Sequence, residues 1–437
     1  MKRRVFAVVI MVMIFLVSGL NENPDKQIDG YINKDSYYPG EIIKVYVSAS
    51  MTYNLNVYKY SNEIIGPYYS EINKNPELQN NTDKDYREGC DWKLKHQIVI
   101  LENWDSGIYM IKLSDLQNKE IKYIPFIIKD QEMEDIVFLA STNTWQAYNS
   151  WGGAGYYVNN HDDNASFAPI ISFNRPNNII NPESKNLHTA NMDILTIGWL
   201  EENNRLYSVI SDYDLHENKT ILNNSKILIL GAHPEYWSFE MRENLNNFLK
   251  RGGNLIYLGG NGIYWKVTYD DDGTLMEVRK DSANHTQTGE PGGKWRNLYD
   301  NNGIEMNEAV FLGIAYTRDG YNTYAPYKVY NSTHWIYNNT NLKDGDLMGI
   351  SGLFDKNNDG AGDGASGWET DKVNEFSPTN LTILGIGENE EGGANMVYFE
   401  KDNGNVFSVG SITFVQSLVI DEDLSMMLNN VLDMWLL

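Results

Sequence analysis

Between residues 30 and 129 apolar and polar positions alternate in short runs at 42–47, 55–60, 97–101, 107–113 and 122–128, and the first run follows a turn signal, Tyr38-Pro39-Gly40-Glu41. A period of two sends one face of each run into a core and the other into water. No stretch of helical period interrupts them, so the pattern predicts an all-β sandwich over residues 28–130. From residue 131 to 437 the texture changes. Continuous apolar runs at 135–139, 193–197, 226–230 and 254–258 alternate with helical stretches, which predicts a parallel sheet covered by helices on both faces. The clearest unit is 226–260. Ile227 to Leu230 form a buried strand, Ser238 caps a helix whose core face carries Leu245, Phe248 and Leu249, and Gly252-Gly253 ends it before the next strand. Residues 268–380 are rich in Gly, Asn and Asp, with few periodic runs, and are expected to be long loops and short strands inserted over the working edge of the sheet. Apolar runs at 381–386, 396–400 and 406–409 and an amphipathic helix at 421–436 close the chain.

Composition narrows the function. With 437 residues the chain holds two or three domains, and 29 Tyr, 14 Phe and 11 Trp mark it as folded. Lys plus Arg total 35 against 59 Asp plus Glu, a formal charge of −24 that repels phosphates, so no nucleic-acid partner is expected. The single cysteine, Cys90, excludes an intrachain disulfide and a Cys-rich zinc site. Lys2, Arg3 and Arg4 precede an apolar run at 5–17 and then Ser18-Gly19, so residues 1–20 have the layout of a signal peptide. The run is shorter than the roughly 20 residues a spanning helix needs. A secreted or cell-surface protein is therefore expected, with an uncleaved N-terminal anchor as the alternative and the only expected membrane contact.

Three segments carry candidate chemistry. His233-Pro234-Glu235-Tyr236-Trp237 follows a buried strand directly and so sits at a carboxyl end, where open α/β sheets bind ligands. An extended backbone at Pro234 turns His233 and Glu235 to the same side, which suits metal binding or proton transfer; a loop whose Glu caps nearby amides is the plainer alternative. Trp145-Gln146-Ala147-Tyr148-Asn149-Ser150-Trp151 also follows a strand, and its aromatic and amide density suits a small-molecule pocket or the packing of a domain interface. Asn261, Tyr264 and Trp265 follow a third strand, without the glycine spacing or lysine of a nucleotide site. Thiol catalysis is not expected, because the loop after the strand at 226–230 carries His-Pro-Glu and the only cysteine, Cys90, lies in the first domain, and no G-x-S-x-G marker of a serine triad occurs. Asp355, Asn357 and Asp359 resemble the opening of a calcium loop, but Ser366 replaces the closing Glu, so a solvated acidic turn is the favoured reading over calcium.

These residues resemble a known family. His233-Pro234-Glu235-Tyr236-Trp237, Gly259-Gly260-Asn261-Gly262-Ile263-Tyr264-Trp265, Trp145-Gln146-Ala147-Tyr148-Asn149 and Gly410-Ser411-Ile412 are similar to the C-terminal domain of the N,N-dimethylformamidase large (beta) subunit family. The resemblance implies a β-sandwich, immunoglobulin-like in its strand pattern, joined to a glutamine-amidotransferase-like (flavodoxin-like) α/β domain. It implies a mononuclear ferric iron held by two tyrosines and one glutamate, here Tyr109, Tyr148 and Glu235. His233 and Glu369 would be the catalytic groups beside it, and the pocket would be lined by Trp145, Asn149, Trp151, Tyr236, Asn261, Tyr264 and Trp265. Phenolates and a carboxylate are hard oxygen donors that suit ferric iron. The activity implied is hydrolysis of the C–N bond of a small amide. The enzymes of the family pair a large subunit with a small one; whether this chain does so, or associates with its own copies, is left open. The rival reading is a non-catalytic surface protein that holds a glycan or other small ligand in the aromatic pocket.

Overall fold

In the computed structural model, residues 27–162, 165–354 and 363–437 are described. The expected export segment and the Asp355, Asn357 and Asp359 turn lie outside the described residues. Among the described residues no helix is long and apolar enough to cross a membrane.

The first unit is built from two facing sheets. Ile28–Ile32, Ile42–Ala49 and Leu94–Val99 form one; Ser36–Tyr37, Ile121–Ile128, Gly107–Asp115, Tyr53–Tyr60 and Ile64–Lys74 form the other, in that spatial order. Alternation fills the space between them: Val45 and Val47 from one sheet meet Leu55, Val57, Ile111 and Phe126 from the other, all buried. Each such side chain taken from water contributes roughly 1.5–3 kcal/mol. The expected two-sheet arrangement is thus present, and the expected strands fall within a few residues of those observed.

The second unit carries a nine-stranded sheet. Five strands are parallel, in the spatial order Ser208–Ser211, Ile136–Ala140, Ile227–Leu230, Asn254–Tyr257 and Gly404–Ser408. Numbered along the chain, their order is 2-1-3-4-5. Asn395–Lys401, Thr382–Gly387, Tyr327–Val329 and Leu347–Met348 extend the sheet with antiparallel pairings. Both faces of the parallel part are covered, which is why its strands read as continuous apolar runs. Ile136, Phe138, Ile227 and Ile229 pack against helices Ala190–Glu202, Phe414–Leu418 and Glu422–Leu436. Val137, Leu139, Leu228 and Leu230 pack against helix Phe239–Lys250. That helix begins as expected, with the Ser238 hydroxyl accepting from the Met241 N–H at 3.2 Å.

One expected element is corrected. Residues 193–197 are not a strand but lie inside helix Ala190–Glu202, and the parallel strand follows at Ser208–Ser211. Ten of the helix's 13 residues are buried, so it lacks the polar stripe that separates a helix from a buried strand in sequence.

The two units share a core. Tyr60, Ile108, Met110, Tyr123 and Ile127, on the outer face of the five-stranded sheet, join the same cluster as Ile136 and Phe138. The Val209 N–H donates to the Ser106 hydroxyl at 2.9 Å, and Lys129 pairs with Asp214. We therefore expect a single unfolding transition. Ile127→Ala should lower stability by about 2–5 kcal/mol and move the near-UV and far-UV dichroism midpoints together; midpoints that separate would show that the units fold independently.

Candidate functional site

The order of the parallel strands reverses beside Ile136–Ala140, and a crevice opens there between its carboxyl end and that of Ile227–Leu230. The chain leaves the first strand through helix Thr142–Ala147 and delivers Tyr148; it leaves the second through residues 231–237 and delivers His233 and Glu235. Asp193 clamps the first exit by accepting from the Ser141 N–H at 3.1 Å and the Trp145 indole N–H at 3.0 Å. Gly231 permits this approach, since a Cβ there would lie 2.1 Å from the Asp193 Oδ1. Glu235 lines the cleft, while His233 is buried beside it with its Nε2 3.4 Å from a Glu235 oxygen, and the backbone between them makes a tight turn rather than an extended segment. The Glu235 N–H donates to the His233 carbonyl at 3.0 Å, and that carbonyl also accepts from the Thr144 hydroxyl at 2.7 Å.

Oxygen atoms converge at the floor of the crevice. The Tyr157 hydroxyl lies 3.2 Å from that of Tyr148, 3.2 and 3.3 Å from the two Glu235 oxygens, and 2.7 Å from the Tyr236 hydroxyl. Tyr148 is 3.5 Å from Glu235. The His233 Nε2, a buried atom without a hydrogen bond, lies 3.4 Å from one oxygen of Glu235 and 3.4 Å from one of Glu369. Its Nδ1 is 3.2 Å from the Nδ1 of His188. The Asn261 amide spans the two carboxylates, donating to Glu369 at 2.8 Å and reaching Glu235 at 3.4 Å. Lys280 stands over the Tyr157 ring with its ammonium 3.5 Å from the centroid.

Burial sets the electrostatics. It raises the carboxyls of Glu235 and Glu369 above the ordinary range, with each other's charge adding to Glu235, although His233 and His188 pull them back. Burial and then the charge of Glu235 raise the phenols of Tyr148, Tyr157 and Tyr236 well above normal. Burial also pushes His188 down to about 3, with His233 adding to the effect, and Lys280 down to about 8 against the pull of both glutamates. The side chains form a donor-rich cluster with little positive charge of its own. His188, His233 and Glu369 are a second set whose ligand atoms lie within 4.8 Å of one another.

Not every expected residue is here. Tyr109 is corrected: it lies in the sandwich core between Trp104 and Phe126, its hydroxyl donating to the Asp105 carbonyl at 2.9 Å, because its strand alternation points it between the two sheets. Trp145 belongs to the core under Asp193, and Trp151 packs on Trp92 of the sandwich, 6.0 Å between ring centroids. Neither lines the cleft, whereas Asn149, Asn261, Tyr264, Trp265 and Glu369 do, and Tyr236 stands behind Tyr157. Tyr157, His188 and Lys280 escaped the sequence analysis. Tyr157 follows Tyr148 in the same aromatic loop and could have been singled out from that density, but His188 and Lys280 stand in loops without any spacing signal.

The cleft above this floor measures about 1010 Å³. Lys280, Lys294, Tyr316, Arg318, Tyr321, Trp368 and Glu369 bring the insertion into its wall, which is held against the sheet at Gly260, where a Cβ would meet the Glu369 carbonyl at 2.5 Å.

The chain belongs to the N,N-dimethylformamidase beta subunit-like, C-terminal family, whose model it matches over residues 57–427. It is 22% identical to the N,N-dimethylformamidase beta subunit of Alcaligenes sp, with 81% of this chain and 55% of that protein aligned. It is 23% identical to the N,N-dimethylformamidase beta subunit of Paracoccus aminophilus, over 80% of this chain and 55% of that one. The chain thus spans about half the length of these curated relatives. Among solved structures, the mmIFT52 N-terminal domain overlays 54% of this chain and 87% of its own at 13% identity and a TM-score of 0.29, too loose a likeness to bear on the fold.

Asp371 positions the Asn261 loop, accepting from the Asn261 N–H at 2.7 Å and the Tyr257 hydroxyl at 2.8 Å, and burial raises its carboxyl to about 7. Between about pH 4, where it ionises in the unfolded chain, and about 7, the folded state binds the extra proton. Stability from this group is therefore present at low pH and is lost as pH rises through that window, at up to about 1.4 kcal/mol per pH unit. Asp371→Asn should make denaturant midpoints at about pH 5 and about pH 8 differ less than in the wild type; an unchanged difference would show that the carboxyl titrates normally.

Proposed function

We propose that this chain is the catalytic part of an amide hydrolase that works with a bound iron ion held by Tyr148, Tyr157 and Glu235. The observation that carries the reading is the convergence of those three side chains within 3.2–3.5 Å of one another. The donors fit ferric iron, since they are hard oxygens, and a cation would relieve the repulsion that raises the phenols beside Glu235. Tyr157 replaces Tyr109 as the second phenolate of the set that the family resemblance implies. The order 2-1-3-4-5 supports the glutamine-amidotransferase-like assignment of the α/β unit, and the two facing sheets support the immunoglobulin-like one. A small partner subunit, as the relatives' name of beta subunit suggests, and export are parts of the same proposal.

When bound, such an ion supplies Lewis acidity to an amide carbonyl and lowers the pKa of water. The residues do the rest. Asn261 fixes one oxygen of Glu369, leaving the other to take the proton lost by the attacking water and deliver it to the amine as the C–N bond breaks. The neutral His233, held by its contact with His188, offers Nε2 between the two carboxylates as a relay for that proton. No covalent intermediate is needed.

Iron content, the tyrosinate charge-transfer band and turnover on a panel of amides test this together. Tyr148→Phe and Tyr157→Phe should each deplete iron and weaken or shift the band, Tyr109→Phe should change neither, and His233→Ala should cost about 10–100-fold in metal affinity or activity. Protein that takes up no iron and shows no band after anaerobic loading would overturn the proposal. It would favour the second reading, a ligand-binding protein, which the aromatic walls at Tyr264, Trp265, Tyr316 and Tyr321 support without a metal.

A further inference from the structure

We propose that the outer part of the cleft is an anion-binding subsite built by Lys294 and Arg318, and that the amide cleaved here carries a carboxylate several bonds away from the scissile C–N bond. This rests on the reading above, which places cleavage at the Glu235 end.

The cleft runs against the charge of the chain. Acids outnumber bases 59 to 35 overall, yet the cleft wall carries Lys185, Lys280, Lys294 and Arg318 against only Glu235 and Glu369, both at its floor. The neighbouring Arg296 is matched by Glu308, but neither Lys294 nor Arg318 forms an ion pair with a described carboxylate. Lys294 is half-buried, and its ammonium, 4.9 Å from the Tyr264 ring and 5.5 Å from that of Trp265, is depressed in pKa by burial and then by Arg296 and Arg318. Two cations without a carboxylate partner on one cleft wall, one half-buried and one exposed, favour an anion, and a guanidinium's planar fork matches a carboxylate.

The subsite is also coupled to the floor. The Tyr264 and Trp265 N–H groups donate to the Glu235 carbonyl at 3.0 and 2.9 Å. Cations and rings alternate outward from there: Lys280 lies 5.4 Å from Trp265, Lys294 contacts both rings, and Arg296 lies 5.1 Å from Tyr264. The walls between floor and rim are aromatic, suiting a hydrocarbon or aromatic spacer. A cleft of about 1010 Å³ is sized for a ligand far larger than a formamide of a few heavy atoms.

The test compares 4-(formamidomethyl)benzoate, whose carboxylate is separated from the formamide by an aromatic spacer, with its methyl ester on the full chain loaded with iron, reading affinity by calorimetry and C–N cleavage as formate release. The carboxylate should bind about tenfold more tightly than the ester, the yield of one charge-assisted hydrogen bond. Lys294→Gln should narrow that ratio and Arg318→Glu, at an exposed position, should reverse it. Binding that discriminates without formate release from either compound would sink the hydrolase reading and leave the subsite standing. Formate released from both with equal efficiency, unmoved by Arg318→Glu, would overturn the subsite alone, as would failure of the wild type to bind the carboxylate.

Discussion

Two carboxylates and three phenols share one buried floor, and the cost of keeping them there governs the rest of the site. An ionised carboxyl withdrawn from water is destabilised, and a second one beside it more so. The protein answers with partners that do not fully neutralise the pair: one amide, two imidazoles kept neutral by burial, and a lysine whose own pKa is depressed. A group of oxygen donors left short of positive charge is the feature on which the proposed cation site rests.

The fold holds this arrangement by placing it where two strands of a parallel sheet part. Short, fully buried strands set the ends of Ile136–Ala140 and Ile227–Leu230 side by side, and each exit segment is pinned from beneath by a buried aspartate or threonine. The opposite wall arrives from far along the chain. Glu369 and Asp371 reach the sheet only because Gly260 leaves room for the backbone and because Asp371 ties down the Asn261 loop. Trp368 and Ile263 adopt left-handed backbone conformations on either side of this contact, strain that bulky residues accept only where surrounding structure enforces it.

The match to the dimethylformamidase beta subunit-like family runs over residues 57–427, which hold both the floor of the cleft and its rim. The chain aligns with about half the length of two curated relatives, at a little over one-fifth identity. On the subsite proposed above, the cationic and aromatic rim would be where substrates are told apart.

Much of the architecture was legible from periodicity, because alternation and continuous apolar runs report directly how many faces of a strand are buried. His233 and Glu235 were legible too, since a strand followed by a short loop fixes where they stand. Helix Ala190–Glu202 was misread because burial on all sides erases the helical stripe. Tyr109 was misassigned because a motif position says nothing of which side of a sandwich a strand residue faces. Sequence by itself thus determined the two units, the order of most of their elements and one side of the cleft floor. Only the tertiary structure decided that Tyr157, His188 and Lys280 join Glu369 there, because these residues come from separate loops far apart in the chain, and what brings them together is the packing of those loops and of the insertion over the sheet edge.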